Sequence, residues 1–172
     1  HGESNNLSNV LEAAKLLRNM PVVFTFIGDG PEKKILINRS KLLKNVFFKD
    51  PIPKSEMPLL ISKFDAILVS LKDIPLFRYG VSPNKLYDAY AVGRPVISTV
   101  SGDINNEIEK FNLGVTAPPN NPKALANAII KLLKTSINDR ICMGNRARSL
   151  AENIYSRQII NKSFNTLLKG YL

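Results

Sequence analysis

The chain has 172 residues, 44% of them hydrophobic, and its 24 Lys and Arg against 14 Asp and Glu give a formal net charge of +10. No apolar run approaches the ~18 residues of a membrane span, the one cysteine, Cys142, excludes an intrachain disulfide, and a lone His1 excludes a multi-histidine metal site or a thiol–histidine pair deeper in the chain. The basic balance calls for an anionic partner; because the positive charges scatter beyond pairs such as Lys33-Lys34, nucleic acid is not expected.

His1–Asn6 is a polar opening without a secretory signal. Leu7, Val10, Leu11, Ala14 and Leu17 then recur at helical spacing and predict an amphipathic helix. Val22–Ile27 is a near-continuous apolar strand of the kind buried on both faces of a parallel sheet, and Gly28-Asp29-Gly30-Pro31 turns it into a helix over about 32–43. Asn45–Asp50 is a second strand, broken by Pro51-Ile52-Pro53, and Ser55 is expected to cap a helix containing Met57, Leu60, Ile61 and Phe64. Asp65–Leu71 is a third buried strand, followed by a loop over 72–82. Ligands of open α/β sheets sit outside the carboxyl ends of strands, so Phe77, Arg78 and Tyr79 of that loop are placed to reach a ligand or to line an interface.

Gly80–Ile97 carries the densest signal. Ser82 reads as an N-cap, Pro83 as the first helical residue, Leu86, Ala89 and Tyr90 as an apolar stripe, and Gly93 with Pro95 as the stop before a strand over 95–100. A helix N-terminus with Lys85 in its first turn suits a diphosphate, and Asp88, at i+3, can accept hydrogen bonds from a sugar diol. The same spacing also describes an exposed i,i+3 ion pair and nothing more. A short helix over 102–111, a strand over 113–116, a helix capped by Asn120-Asn121-Pro122 and two further helices, about 138–153 and 156–168, complete the chain. Cys142, between Ile141 and Met143, reads as a small core residue. Alternating strands and helices predict a doubly wound, Rossmann-like α/β domain with a parallel sheet over 1–172.

Pro83-x-Lys85-Leu86-Tyr87-Asp88-x-x-Ala91-x-Gly93-Arg94-Pro95-Val96-Ile97 resembles the signature of GT-B glycosyltransferases of the GT4 (group 1) type, in the branch that builds bacterial surface polysaccharides. The resemblance implies the C-terminal, donor-binding half of a retaining, metal-independent enzyme with no catalytic residue of its own. Its co-substrate would be a nucleotide sugar, UDP-linked by preference, and its acceptor a lipid-linked or other glycan in capsule, O-antigen or related synthesis. The family pattern has two glutamates separated by seven residues; Asp88 stands on the second, the ribose ligand, and Gly80 on the first, so the carboxylate for the donor sugar is replaced. The resemblance further assigns Ser82, Pro83, Asn84 and Lys85 to the diphosphate, Gly28 to the nucleotide's vicinity and Ile52 to the base-recognition segment.

His1-Gly2-x-x-x-Asn6-x-Leu is similar to the family's loop after its first strand, where the glycine turn touches phosphate. That assigns Gly2 and implies either that residues precede His1 or that His1-Gly2 is what an expression tag leaves behind. The final helices, about 138–172, would pack toward an acceptor-binding N-terminal domain, which this chain does not contain, and the isolated piece would be inactive. A cytoplasmic protein, in peripheral contact with the inner face of the membrane through its basic surface, follows from the same resemblance. Two other readings suit the fold: a nucleotide-sugar epimerase half, and a flavodoxin-like binding module without chemistry.

Overall fold

The computed structural model describes residues 1–78 and 80–170. After a 3-10 turn at Glu3–Asn5, the elements run α1 (Leu7–Leu16), β1 (Phe24–Ile27), α2 (Lys33–Ser40), β2 (Val46–Lys49), α3 (Met57–Ile61), β3 (Ile67–Val69) and α4 (Pro75–Arg78). They continue with α5 (Asn84–Ala91), β4 (Val96–Ser98), α6 (Asp103–Lys110), β5 (Gly114–Thr116), α7 (Pro122–Lys134), α8 (Ile137–Asn153) and α9 (Arg157–Lys169). Every strand pair is parallel, but the strands form two groups: β1 with β2, and β3–β4–β5 in that order.

The apolar strands are apolar because both faces are covered. Successive side chains point to opposite faces, so Ile97 and Val115 enter a core with Val10 and Ala14 of α1 and Leu125 and Ile129 of α7. Val69 and Val96 enter a second core with Leu86 and Tyr90 of α5, Ile108 of α6 and Ala147 of α8. The result is the α/β/α layering expected of a doubly wound fold. Its outer part is thinner: β2 alternates half-buried Val46 and Phe48 with exposed Phe47 and Lys49, as an outer strand does. Val23, read as strand, lies outside β1 and is exposed.

Three local expectations are corrected. The helix after Ser55 starts at Met57 with Glu56 at its N-cap, so the Ser55 hydroxyl caps nothing there. The loop over 72–82 contains α4, because Pro75 supplies a helical φ at a first-turn position. Cys142 is exposed rather than core; the buried face of α8 is Met143, Gly144, Ala147 and Leu150, and Cys142 falls on its other side. The cap at Asn121 forms as read, its Oδ1 accepting from Ala124 N–H at 2.9 Å. No residue of α9 is buried, and its Ile160, Phe164, Leu167 and Leu168 stand exposed.

The joint between α5 and α8 admits no side chain. Gly93 takes φ 67° to end α5, and a Cβ on Gly144 would stand 2.0 Å from the Gly93 carbonyl oxygen. The obstacle is backbone and cannot rotate away. Gly144→Ala should therefore lower stability by about 2 kcal/mol or more, within the usual range for overpacking, as read from the shift of a urea unfolding midpoint. An exposed control such as Asn145→Ala should move it by less than ~0.5 kcal/mol.

Candidate functional site

The N-terminus of α5 points out at the carboxyl ends of the strands, and its backbone donors lack a side-chain cap. The residue at the cap is Pro83, in extended backbone (φ −74°, ψ 123°), and the first helical residue is Asn84, one position later than the sequence suggested. The Pro83 carbonyl accepts Leu86 N–H at 2.9 Å. Ser82 does not cap; its Oγ is bonded to the Tyr87 hydroxyl at 3.0 Å. Early N–H groups of the helix are therefore left for water or a ligand.

Behind that open end, α5 is pinned by a buried network. Tyr90, 0% exposed, donates its hydroxyl to Glu107 Oε1 at 2.9 Å, and Tyr155 donates to Oε2 of the same carboxylate. Burial, with the neighbouring Glu107 charge, pushes both tyrosine hydroxyls well above the ordinary phenol value. The Tyr87 ring meets Tyr155 edge-on at 4.9 Å between centroids, so the Ser82 loop rests on the same cluster. Beneath the loop, Thr99 Oγ1 donates to Ser70 Oγ at 3.0 Å and Val100 N–H to Ser98 Oγ at 3.1 Å, which satisfies the buried polar ends of β3 and β4.

The opening residues close over this platform. Gly2 leads the 3-10 turn, its carbonyl accepting Asn5 N–H at 3.1 Å and Asn5 Nδ2 at 3.2 Å. Asn5 Oδ1 in turn accepts from the Lys85 ammonium. Crowding by the surrounding chain desolvates that ammonium and lowers its pKa below the usual lysine value, although the side chain as a whole remains open to solvent. Lys72 donates its N–H to Ser4 C=O at 2.9 Å and its ammonium to Glu3. That hydrogen bond, with the charge behind it, holds the Glu3 carboxyl below the ordinary range. Asn6, in left-handed backbone at φ 49°, reaches Asn120 Oδ1 at 2.7 Å.

Asp88 is half-buried and, among the described residues, has neither an ion pair nor a side-chain hydrogen bond. The bland i,i+3 pair with Lys85 thus does not form; Lys85 goes to Asn5 instead. Ser82, Pro83, Asn84 and Lys85 stand at the N-terminal end of α5 with Asp88 one turn on, and Gly2 is tied to that end through Asn5 and Lys85. Gly28 ends β1 at φ 118°, with no heavy atom within 4 Å of where a Cβ would stand, so a ligand could approach its backbone. Gly30 is different, since a Cβ there would meet the His1 backbone at 2.7 Å. Ile52, half-buried, lies in the segment that follows the outer strand β2. Phe77 lines a cleft of about 60 Å³ with Gly80, Val81, Ser101, Asp103 and Ile104, while Tyr79 lies outside the described residues. Asn5 and Lys72 were not singled out in the sequence, although Lys72 carried a signal as the cation just past an apolar strand, and Asn120 was read only as part of a helix cap.

Residues 1–135 match the family model of the glycosyl transferases group 1. The chain belongs to that family. It is 27% identical over 99% of its length to the probable glycosyltransferase WbjE of Pseudomonas aeruginosa, covering 42% of that protein. It is 28% identical over 98% of its length to the putative colanic acid biosynthesis glycosyltransferase WcaL of Escherichia coli, covering 43% of it. The chain thus spans less than half the length of the curated relatives it matches. Anabaena Alr3699/HepE, solved in complex with UDP and glucose, superposes with a TM-score of 0.78 at 19% identity, across 96% of this chain and 45% of that one. WaaG, a glycosyltransferase of lipopolysaccharide biosynthesis, superposes with a TM-score of 0.68 at 19% identity over 93% of this chain. These likenesses establish a GT-B fold in its C-terminal half.

The Glu107 network predicts a measurable cost. Glu107→Leu leaves the buried Tyr90 hydroxyl and the half-buried Tyr155 hydroxyl without their acceptor and should lower stability by about 1–3 kcal/mol, read from a urea unfolding midpoint. Tyr90→Phe with Glu107→Leu removes donor and acceptor together and should recover part of that loss in a double-mutant cycle.

Proposed function

We propose that this chain is the donor-binding part of a retaining, metal-independent glycosyltransferase that takes a nucleotide sugar, UDP-linked by preference, and serves the synthesis of a bacterial surface polysaccharide. The uncapped N-terminus of α5, with Lys85 in its first turn and the unpartnered Asp88 one turn on, carries this reading. The helix end, Ser82, Pro83 and Asn84 would receive the diphosphate, through backbone N–H groups and a partial positive charge. Lys85 would move its ammonium from Asn5 to a phosphate oxygen. Asp88, acceptor-only when ionised, matches the two hydroxyls of a ribose. Gly2 and Gly28 would offer backbone from the facing side, and Ile52 an apolar contact for the base.

In a transferase these groups act on the leaving diphosphate. Charge develops there as the sugar departs, and preorganised donors stabilise it without a metal ion. The acceptor site, and any base for it, would come from an N-terminal domain, and the exposed apolar side of α9 is a surface on which such a domain could rest. Gly80 leaves no carboxylate in the position the family uses for the donor sugar, so sugar contacts would be made by other groups. Among the described residues no helix is long and apolar enough to cross a membrane; contact with anionic lipid through the basic surface would be peripheral.

Calorimetric titration with UDP, GDP and ADP, with and without EDTA, tests this reading. UDP should bind best and EDTA should change nothing, while Asp88→Ala should weaken binding by about tenfold, or ~1.4 kcal/mol. Equal heats for wild type and Asp88→Ala would refute the ribose role. The Lys85 pKa gives a second test. Desolvation lowers it from 10.5, whereas a bound diphosphate favours the ammonium and raises it. Affinity for UDP should therefore fall as pH rises from the free protein's Lys85 pKa toward the higher pKa of the complex, and Lys85→Met should bind weakly without that fall.

A further inference from the structure

Ser82 is exposed and lies outside any helix or strand, in the turn between α4 and α5. A turn that leads into an uncapped helix keeps its shape through contacts with something rigid. Val81 packs on the core beneath α5, and Ser82 Oγ donates to Tyr87 Oη at 3.0 Å. The shape of the turn therefore depends on where the Tyr87 hydroxyl stands.

Three tyrosines decide that position. Tyr90 and Tyr155 each give a hydroxyl to one oxygen of Glu107, whereas Tyr87 gives its hydroxyl to the Ser82 contact. The Tyr87 ring is caught between the other two, edge-on to Tyr155 at 4.9 Å and to Tyr90 at 6.3 Å between centroids. A tyrosine side chain has two rotors, so a ring clamped on two sides puts its hydroxyl in one place. Tyr90 belongs to the same helix as Tyr87 and cannot serve as an outside reference. Tyr155 can. It stands between α8 and α9, its N–H bonds to the C=O of Leu150 at 3.1 Å, and Leu150 is part of the core.

We infer that Tyr155 is a positioning residue of the diphosphate site: through the Tyr87 ring it holds the Ser82 turn in its binding shape, a role that rests on the donor-binding reading above. A turn already in place binds an anion without the entropic cost of ordering it. The ring of Tyr155 carries the effect, because its hydroxyl is directed to Glu107 while its ring meets Tyr87. An aromatic side chain at position 155 is therefore required, and the hydroxyl is dispensable for binding. The effect is also local to the phosphates. Asp88, the residue proposed for the ribose, stands on α5 itself, which is held from its buried face and its far end. Contacts to the nucleoside do not depend on the turn.

NMR titration of the 172-residue chain with UDP and with uridine, on wild type, Tyr155→Leu and Tyr155→Phe, tests the assignment. Tyr155→Leu should weaken UDP by about fivefold or more and uridine by less than about twofold, and Tyr155→Phe should restore UDP to within about twofold of wild type. In the free protein, the backbone order parameters of Val81, Ser82 and Asn84 should lie near the ~0.85 of rigid backbone in wild type and Tyr155→Phe, and should fall toward ~0.6 in Tyr155→Leu. A wild type that binds no nucleotide sinks the donor-binding reading itself. A wild type that binds UDP, with Tyr155→Leu binding it equally well, overturns the role of Tyr155 and leaves that reading standing. Equal losses for UDP and uridine would also overturn it, since they mark a general loosening of the fold. Should Tyr155→Leu fail to fold, Tyr87→Phe decides: it keeps every ring and removes only the hydroxyl that Ser82 reaches. Unchanged UDP affinity and unchanged order at Ser82 in that variant would overturn the inference, and a loss of UDP affinity of about threefold or more with uridine unaffected would support it.

Discussion

The far end of α5 governs the near one. The helix closes with Gly93 N–H on Tyr90 C=O at 3.0 Å and Arg94 N–H on Ala89 C=O at 3.1 Å, a Schellman arrangement that depends on the left-handed φ of Gly93. Gly144 presses against that turn, Arg148 donates to Ala91 C=O, and the hydroxyl of buried Tyr90 is fixed on Glu107. A rigid rod held at its C-terminus has a determined direction, and eight helical residues carry it about 12 Å. The site is the exposed end of a lever whose fulcrum is buried.

The distribution of charge follows the same division. Lys33 with Asp50, Arg39 with Glu12 and Arg148 with Glu152 are ion pairs at 2.8, 2.8 and 2.7 Å with at least one exposed partner each, and such pairs contribute little to stability. Lys72 spends its charge on Glu3. Lys85 has an amide oxygen for a partner instead of a carboxylate, and its ammonium is partly desolvated. Of these cations it therefore has most to gain from an incoming anion, since the anion restores what the surroundings have withdrawn.

Much of this was legible because it is written in periodicity. Apolar runs such as Ile67–Val69 and Val96–Ile97 could only be strands covered on both sides, and the Leu86, Ala89 and Tyr90 stripe fixed which side of α5 turns inward. The family signature singled out Asp88 and Lys85 as donor ligands, a reading that their spacing leaves open, since the same spacing describes a solvated ion pair. What stayed hidden depends on distant partners. Ser82 looked like a cap because capping is local, and it lost that role to a hydroxyl five residues on. Asn5 acquires meaning only when the fold brings it to Lys85, eighty positions away. Cys142 misled because its neighbours in sequence are apolar, while the buried face of α8 runs through Met143, Gly144, Ala147 and Leu150 and leaves it outside.

The misplaced cap has a consequence for binding energy. With Pro83 at the cap position there is no side-chain oxygen for the first N–H groups of α5, whereas a Ser or Asp cap would stabilise the helix by about 1 kcal/mol. The helix persists without it because its other face is buried. A phosphate oxygen at that end would supply the missing acceptor, with charge in place of a neutral hydroxyl. The stabilisation that a self-capped helix would have in the empty protein is then realised only on binding and adds to affinity. A side-chain cap at position 83 would have to be displaced first, and the same contact would be counted once for the protein and lost to the ligand.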